Sequence, residues 1–191
     1  MKTAEKSAVV LNLYSQMTTD IKQEQIEFLK DQLWKSTMRA ATSRAGKIYK
    51  AGTTEQEKTS FKKALFEFVT KMIRDHYENQ TPDDPTHLKN ISELKAYASD
   101  FAFVTLRFGH AQKVLNLYLK YLWCLGLVQE PPHFPVDRLI QKKMKIKNTT
   151  NWTKDMEEDQ YTQVIEEART IAERENFRSI ATLELSFYNN L

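Results

Sequence analysis

The chain has 191 residues, of which 41% are hydrophobic, 28% charged and 11% aromatic. That composition fills a core and excludes a disordered chain. Four glycines and five prolines disfavour a turn-rich sandwich or barrel, and the single cysteine excludes an internal disulfide framework or a cysteine-only metal site. The formal net charge of +3 is too small to identify a partner, so the informative quantity is where the charges fall.

Helical spacing dominates the pattern, and the expected fold class is all-α, a multi-helix globular domain. Residues 4–14 can form a short first helix. Thr19 or Asp20 can cap a second beginning near Ile21, with Ile26, Leu29 and Leu33 on one face and an end near Tyr49. Gly46 falls inside this pattern, and Gly52 is a stop signal. Thr54 and Glu57 form a capping box for a helix from Glu55 to about Tyr77, with Phe61, Ala64 or Leu65, Phe68, Met72 and Ile73 as its inner stripe. The stretch Glu78–Asn90, with Pro82 and Pro85, reads as a surface loop. It divides an N-terminal helical part, 1–80, from the rest, 91–191. Ser92 is a candidate cap for a helix to about Leu106, broken at Gly109.

The next helix runs from His110 to Leu125 and ends at Gly126. A proline-rich loop follows, then a short helix over Val136–Met144 and a basic link. An acidic helix, Met156–Glu175, is closed by Asn176. The tail Ile180–Tyr188 is a strand or a short helix. No apolar run is long enough to span a membrane, and the opening lacks a secretory pattern. The expectation is therefore a cytoplasmic or nucleoid-associated protein, not secreted, with no membrane partner.

Charge is unevenly spread. Lys35–Thr54 holds five basic residues and no acid, and Val104–Lys147 holds eight basic residues and two acids. Asp155–Glu175 holds eight acids and two bases. The middle suits a polyanion, while the acidic helix 156–175 suits a protein partner. The four histidines show no metal spacing, and no phosphate-binding glycine loop or serine elbow is present, so no metal and no cofactor is expected. Cys124, between Trp123 and Leu125, reads as a small core residue.

The helix after Gly109 is apolar around nearly its whole circumference, the pattern of a buried central helix. Lys113, Asn116 and Lys120 fall within about 60° of one another, a narrow polar stripe on that rod. Such lysines snorkel, pair or sit in a cleft, and a cleft lysine can act as a nucleophile. Asp137, at the start of the short helix, is a natural carboxylate partner, and a capping role is compatible with a functional one.

Arg107–Met144 resembles the helix-hairpin-helix DNA glycosylases over about forty residues, a fifth of the chain. Gly109 matches the first hairpin glycine, and Phe108 and Ala111 stand in place of the hairpin proline and second glycine. Lys113 matches the lysine that attacks the sugar in bifunctional members. Phe134-Pro135-Val136-Asp137 matches the segment carrying the catalytic aspartate. The resemblance implies a hairpin-like helix pair around Gly109. It also implies a glycosylase or glycosylase/lyase acting on a damaged or modified base, with Lys113 and Asp137 catalytic. DNA would then be held by Arg107, Gly109, His110 and Gln112, with Arg138, Lys142, Lys143 and Lys145. The flipped base would meet Tyr118, Lys120, Trp123, His133 and Phe134. Two other readings stand beside it: a non-catalytic helical nucleic-acid-binding protein that uses the same hairpin and basic surface, and a helical protein-interaction or regulatory domain whose contact surface is the acidic helix 156–175, with Lys113 structural.

Overall fold

A computed structural model describes residues 22–43 and 48–189. Among them the protein is all-helical: no strand is present, and the one β-bridge pairs Tyr49 with Val104. The chain separates into two compact units, 1–35 and 36–191. The expected first helix at 4–14 and the caps at Thr19 and Asp20 lie outside the described residues, as does Gly46.

Helix α1 covers 22–38 and runs into a π turn, Arg39–Ser43. In the first unit its outer side carries i,i+3 and i,i+4 pairs, Lys30–Glu27 and Lys35–Asp31. Leu29, expected on the inner stripe, is 42% exposed, beside Phe28 at 63%.

In the second unit, α2 (Glu55–His76) begins at the expected capping box. Thr54 Oγ1 accepts from the Glu57 N–H, and Glu57 accepts from the Thr54 N–H at 2.7 Å. Its buried stripe is Phe61, Leu65, Val69, Met72 and Ile73. Phe68 sits instead on the rim, stacked on Tyr97 with centroids 4.1 Å apart.

Helix α3 (Asp84–Ser99) corrects the expected loop Glu78–Asn90. Asp83 caps it by accepting from the Thr86 N–H, and Pro85 occupies the first turn, where a missing N–H costs nothing. Asp83, Asp84 and Pro85, expected in a loop, are the start signals of this helix. Ser92 is mid-helix, where its hydroxyl donates to Glu158. Helix α4 (Phe108–Cys124) ends with Gly126 at φ 72°. Helix α5 (Arg138–Lys143) is shorter than expected. Helix α6 (Glu158–Arg174) closes at Asn176, φ 62°. The tail is helical: α7 spans Ile180–Asn189.

Helix α4 is the axis of this unit. Every residue from Phe108 to Lys120 is buried. It packs on α3, which packs on α2, while α7 packs on α5 and α6. Cys124 falls past the buried stretch and is exposed, because α4 leaves the core in its last turn. No helix of the described residues is long and apolar enough to cross a membrane.

Candidate functional site

A polar stripe on a helix buried all round must find its partners inside the fold, and each member does. Gln112 grips the backbone of Val136 from both sides: its amide donates to the Val136 carbonyl at 2.7 Å, and its oxygen accepts the Val136 N–H at 3.1 Å. That clamp lays the proline-flanked segment 134–137 along α4 and fixes where Asp137 begins α5. Asp137 then works with both oxygens. Oδ1 accepts the Ile140 N–H at 2.9 Å as the helix cap, and Oδ2 accepts from Lys113 Nζ at 2.7 Å.

Burial pushes the Asp137 carboxyl up. The Lys113 ammonium, its hydrogen bond, and the amides of Ile140 and Leu139 together hold it below the usual carboxylate range. Two turns further along the same face of α4, Lys120 Nζ meets Glu184 of α7 at 2.7 Å and lies 3.9 Å above the Tyr188 ring. Burial raises the Glu184 carboxyl against the pull of Lys120, and its Oε1 has no hydrogen-bond partner.

Asn116 is the centre of a second, larger network. Its amide nitrogen donates to the Phe134 carbonyl at 3.1 Å and to the Tyr161 hydroxyl at 2.8 Å. The carbonyl fixes the amide's orientation, because it can only accept. Asn116 Oδ1 therefore accepts from His87 Nε2 at 2.9 Å, and His87 Nδ1 accepts from the Tyr77 hydroxyl at 2.8 Å. Tyr77 in turn accepts from the Asn90 amide at 2.9 Å. On the other side Tyr161 donates to His133 Nδ1 at 2.9 Å, leaving the His133 Nε2–H for Asp84 at 3.1 Å. Arg169 closes the chain with a two-armed grip on Asp84, at 2.6 and 2.7 Å.

Along the path from buried Asn90 through Tyr77, His87, Asn116, Tyr161 and His133, each donor points toward the carboxylate of Asp84. Both imidazoles are neutral in this assignment. Burial, with the repulsion that two charged imidazoles would suffer beside one another, drives the His87 pKa well down; burial also lowers that of His133, against the pull of Asp84.

The structure thus brings Lys113 and Asp137 into direct contact and gives several expected site residues interior positions. Tyr118 and Phe134 are core side chains, His133 belongs to the Asn116 network, and Lys120 is held by Glu184. Trp123, His133 and Phe134 border a crevice, but it is too narrow to admit a water molecule. Of the expected phosphate contacts, Gly109, His110 and Gln112 are buried, because α4 enters the core from its first turn. Arg107, Arg138, Lys142 and Lys145 are at the surface, and Lys143 donates to the Phe187 carbonyl at 3.0 Å.

Gly109 lies inside the first turn of α4 and not in the connection between α3 and α4. Its φ is not positive, so what it supplies is space. A β-carbon there would stand 1.7 Å from the carbonyl oxygen of Trp152. The strap 148–155 therefore rests directly on the start of α4. Its indole faces His110, with ring centroids 5.8 Å apart, and Lys113, whose Nζ is 5.9 Å from the ring centroid. His110 is 4% exposed, neither ring nitrogen has a partner, and burial together with Arg107 lowers its pKa to about 4.

Gly109→Ala is expected to force the strap off α4 and to cost about 1–3 kcal/mol, the usual range for overpacking. Hydrogen exchange at residues 150–155 reads this directly. Protection there equal to the wild type would refute the contact.

Asn116, Tyr161, His87, Glu184 and Trp152 carry much of this arrangement, yet only Asn116 stood out in the sequence, as a polar residue on an apolar helix. No group of three or more His, Cys, Asp or Glu side chains with metal-binding geometry occurs among the described residues. Comparisons with protein-family models, curated proteins and solved structures found no match.

Proposed function

We propose that the chain is a helical nucleic-acid-binding protein whose contact surface is the basic face of α5 and the residues that follow it. One observation carries this reading. Arg138, Lys142 and Lys145 are exposed and make no ion pair among the described residues. Both acids of the Val104–Lys147 stretch are committed elsewhere, Asp137 to Lys113 and Glu130 to Arg178. The carboxylate that could have neutralised this face is drawn inward by α4, so the outward face of α5 is cationic and unneutralised. The backbone that carries them is anchored as well. The Asp137 cap, the Gln112 clamp and the bonds between Gln141 and Thr150 hold α5 at its start and along its inner side.

Base-excision chemistry at Lys113 stands outside this proposal. It requires a free amine reachable by a flipped nucleotide. Here the amine is engaged on Asp137, and its side chain is 6% exposed. An open groove of about 300 Å³ between Ile146 and α6 is bordered by Glu166 and Glu167, whose charge disfavours a phosphate.

The test is anisotropy of a labelled oligonucleotide against salt. Binding is expected at low salt, with log affinity falling against log salt at a slope of about −2 to −3, as a few phosphate contacts dictate. Arg138→Glu with Lys142→Glu should weaken it about tenfold or more with helicity unchanged. Borohydride is expected to trap no adduct on abasic or damaged duplexes. No binding at 20 mM salt, or binding indifferent to the two reversals, would overturn the reading.

A further inference from the structure

We propose that Trp152 is a stacking platform for an unpaired base, so that the nucleic acid taken by this surface is single-stranded. The inference rests on the reading above and specifies the form of its ligand.

The strap Asn148–Asp155 reads Asn-Thr-Thr-Asn-Trp-Thr-Lys-Asp, with Trp152 its sole large apolar side chain. Its main chain is pinned on both sides of that residue. Gln141 of α5 bonds Thr150 in both directions, donating to its carbonyl at 3.0 Å and accepting its N–H at 2.8 Å. Arg107 donates to the Lys154 carbonyl at 2.9 Å. Between these clamps the Trp152 carbonyl sits in the space left by Gly109. The backbone therefore sets the position of the indole, one side of which meets His110 and Lys113, and the residue stays partly exposed.

An aromatic ring fixed before its ligand arrives loses little conformational entropy on binding. Basic residues stand at both anchors of the strap. Arg107 is one anchor itself, and the other is Gln141 of α5, the helix that carries exposed Arg138 and Lys142. A pinned aromatic between cations is the arrangement that holds single strands, with phosphates on the charges and a base on the ring. A duplex keeps its base faces stacked inside and offers nothing to such a ring.

A ring that merely anchors the strap predicts a different mutational pattern, so the substitutions separate the two. With the full chain and a labelled oligothymidylate of 15 nucleotides, Trp152→Phe should retain most of the affinity. Trp152→Leu and Trp152→Ala should each lose about tenfold. A 15-base-pair duplex should bind more weakly than the single strand and be indifferent to all three changes. Circular dichroism and the thermal midpoint of each variant control for folding.

Equal affinity for both forms, an equal loss on both, or full retention by Trp152→Leu would each overturn the stacking role. In each of those cases salt-dependent binding that still responds to Arg138→Glu and Lys142→Glu leaves the surface proposal standing. Absence of any binding removes both.

Discussion

Asn116→Leu is expected to destabilise the 36–191 unit by about 2–6 kcal/mol, read as a fall in the urea midpoint. Leucine matches the shape of asparagine and removes all of its hydrogen bonds. Two buried groups then have no partner: the His87 Nε2–H and the Phe134 carbonyl, both now bonded to the Asn116 amide. Each orphaned group costs about 1–3 kcal/mol, because it has given up water and recovered nothing. The Tyr161 hydroxyl also loses a donor, though it keeps His133 as acceptor. Against a total stability of about 5–15 kcal/mol for a domain, such a loss is large.

Asn116→Asp is the informative companion. An ionised carboxylate still accepts from His87 but repels the Phe134 carbonyl, whereas the protonated acid can donate to it. The aspartate variant should therefore recover part of its deficit as the pH falls, opposite to the wild type. A leucine variant within about 1 kcal/mol of the wild type would mean that the chain of bonds through residue 116 is not what orders this core.

How far the sequence disclosed this arrangement depended on whether each signal was local. The capping box at Thr54 and Glu57, the stop residues Gly126 and Asn176, and the all-round apolarity of α4 are local, and the structure has each. The start of α3 was also local, but Pro and Asp serve loops and helix starts alike, and only the packing of α3 on α4 decides between them. The Lys113–Asp137 contact was legible because a buried lysine needs a carboxylate and few were near.

The Asn116 network was not legible. Its members come from the cap of α2, from α3, α4 and α6 and from the 131–135 segment, and nothing in a spacing says that His87 and Tyr161 converge on one amide with Tyr77 behind His87. Trp152 was hidden for a related reason: its position is set by Gly109, Gln141 and Arg107, none of them its sequence neighbours.

Acid is expected to unfold the protein between about pH 6.5 and 4, and the same burial explains why. His87, His110 and His133 all have pKa values lowered in the fold, His110 to about 4. In the unfolded chain each titrates near 6.5. A lowered histidine pKa means that the unfolded state binds the proton more readily. Its contribution to stability is therefore complete above about pH 6.5 and is lost as the pH falls toward the folded value.

For His110 alone the loss on going from pH 7 to pH 5 is about 2 kcal/mol by that linkage. With all three histidines neutral in the native state and charged in the unfolded one, the limiting slope is three protons, about 4 kcal/mol per pH unit. Asp84, held low by His133 and Arg169, and Asp137 add a second loss of the same sign at lower pH, below about 3.8. His110→Phe separates the parts. It removes one titrating group and two unpartnered nitrogens, so the slope near pH 5 should drop by about one proton, and the variant should outlast the wild type there. Urea titrations at half-unit steps from pH 7 to 4 give the slope directly. A stability unchanged between pH 7 and 5, or a His110→Phe slope equal to the wild type, would contradict the burial on which both expectations rest.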